Sequence, residues 1–175
     1  MVEHLNVAQS DAFLDRAIKL MAMRERFPRS IFLKRPRAKA FFDYAYITSD
    51  ILFELLKKLC TVTGDTGFVF LSISPDAKSY YYEHFNWIPA ASFSRDDQSD
   101  DHARFVLHDP GESPADAIAY SVDEVAILSH SSSFIVYGTR ASELGVIAIL
   151  NEETNFLDWS AIEGKHPFLM GSELA

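Results

Sequence analysis

Apolar residues recur at positions 13, 14, 17, 18, 20, 21 and 23, the spacing of one helical face. Ser10 as N-cap with Asp11 in the first turn, and Pro28 as a stop, predict a helix between them. The next stretch, "SIFLKRPRAKAFFDYAYIT", reads as extended. Pro36 divides it, and "AFFDYAYI" carries the aromatic bias of a strand. Ile51, Leu52, Leu55, Leu56 and Leu59 then repeat at helical spacing behind the capping candidates Thr48, Ser49 and Asp50. After the turn signal "TGDTG" comes "FVFLSIS", a short apolar run that predicts a buried strand.

"PDAKSYYYEHF" predicts a short helix with Pro75 in its first turn. "NWIPAASFS" predicts a strand that Pro89 confines to an edge or a bend. From Arg95 to Pro114 the pattern turns polar and acidic, broken only by a strand-like "FVL", and predicts a loop or hairpin tip. "ADAIAYSVDEVAILSH" predicts a short helix and then a strand. "FIVYG" and "GVIAIL" predict two strands around the knot Gly138, Thr139, Arg140, Ser142 and Glu143. In that knot, Gly138 is the candidate for a positive φ, and Arg140 and Glu143 are spaced to pair across one turn. The tail after Asn151 is expected to pack on the body.

Helices and strands are mixed, and the last third reads as hairpins rather than alternating βα units. The expected fold is therefore α+β, a mostly antiparallel sheet with helices packed on one face, in one domain spanning residues 1–175. With 48% hydrophobic residues and 14 Phe, the chain has the material for an aromatic core. Its one cysteine, Cys60, excludes an internal disulfide and is expected at a helix end facing the core. The N-terminal residues lack the pattern of a signal peptide, and no run of 18 apolar residues predicts a membrane span. A cytoplasmic location is the expectation.

Charge is unevenly spread. Residues 1–40 carry nine Lys/Arg and four Asp/Glu, a balance of +5, whereas residues 41–175 carry seven and twenty-one, a balance of −14. The acidic body disfavours nucleic acid and favours basic partners. The basic stretch Arg24 to Lys39 is read as solvated or docked on the acidic body.

No compact motif carries catalysis. His102 and His108 stand near Asp100, Asp101 and Asp109, which are metal-ligand types without a metal-ligand spacing. There is no GxSxG, GxxxxGK[ST] or GxGxxG, and "LSHSSSF" reads as a strand-connecting turn. No catalytic residue, metal ligand or cofactor is assigned.

"SSSFIVYGTRASELGVIAIL" resembles the C-terminal segment of bacterial immunity proteins that neutralise polymorphic toxins, through Phe134, Tyr137, Gly138, Arg140 and Glu143. The resemblance implies a non-catalytic module that binds a basic toxin domain. An acidic surface suits that task, with aromatic anchors to fix the complex. The candidate contacts are Asp96, Asp97, Asp100, Asp101 and Asp109, with Tyr80, Tyr81 and Trp87 as anchors. A second stretch, from "FELLKKLC" to "NWIPAASF", resembles the second half of a GCN5-related acetyltransferase, through Tyr81, Tyr82, Phe85, Trp87, Ile88 and Pro89. It implies acetyl-CoA as cofactor. The stretch "YAYITSDILFELL", where the pyrophosphate loop would fall, has neither glycine nor basic residue. Protein binding is the favoured reading, and acyl transfer the alternative.

Overall fold

A computed structural model describes residues 2–22, 31–150 and 169–174, the last by backbone alone. Its first strand, β1, is only Glu3–His4. Helix α1 follows, Val7–Leu20. It starts earlier than Ser10 because Asn6 and Gln9 form a reciprocal cap. The Asn6 side chain accepts from the Gln9 amide at 3.0 Å, and the Gln9 side chain accepts from the Asn6 amide at 2.9 Å. Ser10 is instead buried inside the helix, donating to the Val7 carbonyl. The helix also ends well before Pro28, where Met21 turns extended and bridges to Phe32.

Strand β2 is Ala38–Asp43. It stops short of Ile47 because the Asp43 carboxylate accepts from the Ala45 amide and closes a 3₁₀ turn over Tyr44–Tyr46. Helix α2, Asp50–Thr63, is capped by Ser49 and ends at Gly64 with φ 74°, a left-handed position that suits glycine. Cys60 lies buried near its end, as expected, and burial pushes its thiol up to about 12. Strand β3 is Gly67–Ser74. Asp76 then opens a π-helical turn, Ala77–Tyr82, that runs into the short helix α3, Glu83–Phe85. Strand β4 is Ala90–Ser94.

The acidic stretch is not a hairpin tip. Its centre is helix α4, Ser99–Val106, and the "FV" of the expected strand-like piece is its last turn. Helix α5, Ile118–Ser121, and the strands β5, Glu124–Ser129, β6, Phe134–Thr139, and β7, Leu144–Ile149, follow in the expected order. Strand β8 is Leu169–Leu174. The rest of the tail, and residues 23–30 of the basic stretch, lie outside the described residues.

All eight strands form one antiparallel sheet in the order β1-β4-β3-β5-β6-β7-β2-β8. The central strands are apolar without alternation because both faces are covered. One face presents Phe42, Phe68, Phe70, Phe93, Phe134 and Val136 to α2, α4 and α5. The other presents Val69, Leu71, Ala126, Leu128, Ile135 and Val146, and α1 covers it with Phe13, Leu14 and Ala17. The mixed α+β class and antiparallel sheet are as expected. Three helices share one face, while α1 crosses the opposite one.

Two connections reach across the sheet. In the β5–β6 turn, Asp65 accepts from the Ser131 amide at 2.8 Å and from its hydroxyl at 2.9 Å, while Arg16 of α1 donates to the His130 carbonyl and Ser132 hydroxyl. In the β6–β7 knot, Arg140–Ser142 form one 3₁₀ turn, and Glu143, not Gly138, takes the left-handed conformation at φ 53°. Space at Gly138 is tight: a Cβ there would lie 3.0 Å from Ile47 Cδ1 and 3.1 Å from the Tyr44 ring. Arg140 pairs with Asp123 at 3.3 Å and donates to the Val122 and Tyr120 carbonyls, rather than pairing with Glu143. The knot is a structural connection between two strands.

Candidate functional site

Helix α4 and its flanking turns carry most of the acidic residues singled out in the sequence. Its N-terminus suits them, because a carboxylate in the first turn meets the positive end of the helix dipole. Asp100 and Asp101 occupy that turn, and Asp101 also accepts from the Gln98 amide in a capping box. Asp96 is exposed in the turn before the helix. Asp109 lies after it and accepts from the Gly111 amide at 3.0 Å. Among the described residues, none of Asp96, Asp100, Asp101 and Asp109 is ion-paired with a Lys or Arg.

Two of the expected contact residues lie inside instead. Asp97 is 4% exposed, and its carboxylate accepts from the Ser94 amide at 2.9 Å, which ties the β4–α4 turn. Tyr81 is 0% exposed in the core, with its hydroxyl on Ser121. Neither presents a surface to a partner. Tyr80 is half-buried, edge-on to Tyr81, with its hydroxyl 3.5 Å from Asp116.

The structure brings Trp87 and Asp101 together. They line a hollow of about 530 Å³ with Val2, His4, Arg104, Phe105 and His108. Trp87 is half-buried and leans on His108 at 5.0 Å and on Phe105 at 6.2 Å between ring centres. His4 packs on Phe105 at 5.8 Å. Burial, with His108 nearby, holds the His4 imidazole below its ordinary value and so favours its neutral form. Trp87 and the Asp101 carboxylate thus share one hollow, with the Arg104 guanidinium in the same lining.

Sequence reasoning missed the acidic neighbours that α2 adds. Ser99 donates to the Glu54 carboxylate at 3.0 Å, and Asp50 Oδ1 lies 3.5 Å from His102 Nδ1. Only the packing of α2 on α4 could have revealed them. Leu107, just past α4, is exposed as well.

The histidines near the acids do not gather. His102 is buried and stacked on Phe53 at 4.7 Å, while His108 is exposed on another side of α4. Among the described residues no group of three His, Cys, Asp or Glu side chains could hold a metal ion. One nucleophile-like chain exists: Ser92 Oγ hydrogen-bonds His130 Nε2 at 2.9 Å, and His130 Nδ1 hydrogen-bonds Thr66 Oγ1 at 3.0 Å. This chain links the start of β3, β4 and the β5–β6 turn, and none of the four cavities described is lined by its members. No helix among the described residues is long and apolar enough to cross a membrane. No family model matches the chain, and no curated protein or solved structure matches it.

Proposed function

We propose that the protein is a non-catalytic binding module of the immunity-protein kind, which neutralises a basic toxin domain through the face built on α4. The observation that carries this reading is the set of carboxylates at Asp96, Asp100, Asp101 and Asp109, unpaired with any described Lys or Arg, beside a hollow floored by Trp87. An arginine or lysine of the partner would stack on Trp87 and meet Asp101. The outlying carboxylates would speed encounter with a positively charged surface and confer salt sensitivity. Acyl transfer is the weaker reading. The N-terminus of α2, where a pyrophosphate would sit, carries Asp50 in its first turn, and the Ser49 hydroxyl already accepts from the Leu52 amide.

The test is growth of a host that co-expresses this chain with any toxin gene found next to its own. The wild-type chain is expected to restore growth and to co-purify with the toxin. The triple variant Asp96→Lys, Asp100→Lys, Asp101→Lys is expected to stay folded and to bind at least about 100-fold more weakly, each lost charge pair being worth on the order of 1.5 kcal/mol or more. Undiminished protection by that variant would remove the acidic face from the reading. Saturable binding of acetyl-CoA in a calorimetric titration would replace the reading with the acyltransferase one.

A further inference from the structure

The largest cavity described lies on the other side of the sheet. It is a groove of about 770 Å³ between α1 and the ends of β3 and β5. That volume is in the range of small-molecule sites. Its walls are apolar: Leu14, Ile18 and Met21 from α1, Leu71 and Ile73 from β3, and Leu33. Ile18 and Leu33 are 50% and 60% exposed at its rim, so large apolar side chains stand open to water where an apolar ligand would cover them.

One end of the groove is acidic. Asp11, Asp76 and Glu124 line it, with Lys78 as the one cation in the lining. Lys78 is already held by Asp11 at 2.7 Å, and Asp76 is occupied as a cap, accepting from the Lys78 and Ser79 amides. Glu124 remains. It stands at the start of β5, opposite the irregularity in β3 between Ser72 and Ser74, and its carboxyl meets the Tyr137 hydroxyl on the neighbouring strand. Such an irregularity re-aims the strand and opens space beside a sheet.

We propose that this groove binds a small organic monocation, an ammonium head on an alkyl or aryl body, with the head on Glu124 and the body along Leu14, Ile18, Leu71 and Ile73. Charge selects the sign of the ligand: among the described lining residues, three carboxylates face one ammonium that is already paired. Shape and wall chemistry select the apolar body. Burial raises the Glu124 carboxyl from its ordinary value, so an arriving cation would gain a partner that water solvates poorly. The site is separate from the α4 face, and its occupancy does not depend on the protein-binding reading.

The test uses the full chain and three probes that share one body: decylammonium and decanoate below their micelle concentrations and decanol below its solubility limit. Calorimetry is expected to show one site at which decylammonium binds at least about tenfold more tightly than decanol, with decanoate weakest. Glu124→Gln is expected to erase the preference for ammonium over decanol while leaving decanol binding unchanged. Ile18→Gln, a neutral change at a half-exposed rim position, is expected to weaken decylammonium and decanol alike. Glu83→Gln, at an exposed carboxylate outside both sites, is expected to leave binding of the three probes unchanged, which separates the groove from attraction to acidic surface elsewhere. Equal binding of the three probes, no binding of decylammonium, or an unchanged preference in Glu124→Gln would each overturn the proposal.

Discussion

Phe68 and Phe70 point to one side of β3 and meet Phe53, Phe93 and Phe105, with ring centres 5.5–5.7 Å apart. Val69 and Leu71, one residue along, point to the other side and meet Leu5, Ile88 and the half-buried Phe13 and Leu14 of α1. The first face is closed by three helices and packed with aromatic rings in edge and stacked contacts. The second is covered by one helix and keeps a groove. A strand alternates side chains between faces, so one eight-residue segment supplies both surfaces. The closed face is where unfolding is resisted, and the thinly covered face is where a small molecule can enter.

The sharpest way to break that contrast is to delete equivalent bulk on each side. Leu55→Ala, on the closed face, is expected to cost about 2–5 kcal/mol in urea unfolding. Leu14→Ala, on a half-buried wall of the groove, is expected to cost less than half of that. Equal losses would mean that the two faces carry the fold alike.

A smaller effect is expected from added volume. A Cβ at Gly145 would overlap the Phe42 ring, which is itself fully buried on the closed face. Gly145→Ala is expected to destabilise by about 1–3 kcal/mol. Gly138→Ala, whose nearest approaches are 3.0 Å to Ile47 Cδ1 and 3.1 Å to the Tyr44 ring, is expected to cost less. The same melts would rank them, and the reverse order would show that the Phe42 ring can move aside.

The smallest effect concerns acid. Burial holds the His102 imidazole below its ordinary value of 6.5. The unfolded chain therefore takes up a proton near pH 6.5 that the folded chain refuses. The contribution is intact above that pH and is lost as pH falls through the lower folded value. His102→Phe keeps a ring against Phe53 and removes the proton. It is expected to flatten the decline in stability below pH 6.5, and an unaltered decline would assign it to His4 or His130, which are lowered in the same direction.

Strands β3, β5, β6 and β7 were legible because their apolar runs are short, β-rich and bounded by turn residues. Helix α2 was legible because five apolar positions recur at one spacing and Ser49 stands before them. Helix α4 was not. It has eight residues, it opens on Gln98 rather than a usual capping residue, and its apolar side is completed by His102, Phe105 and Val106, whose partners Phe53, Phe70 and Phe93 are distant in sequence. At the site, Asp96, Asp100, Asp101 and Trp87 lie where a partner could meet them. Asp97 and Tyr81 share their composition but not their exposure, and no local pattern distinguishes them.

By itself the sequence determined the number and kind of most elements, the mixed class and the uneven charge, because periodicity, propensity and turn chemistry act over a few neighbouring residues. The tertiary structure alone decided that α1 would cross the far face and leave a groove, that Glu143 rather than Gly138 would turn left-handed, and that Arg140 would pair with Asp123. It also decided that Asp65 would clamp Ser131 from 66 residues away. Burial, hydrogen-bond partners and free space depend on which distant segments meet, and that is set by the packing of the whole sheet.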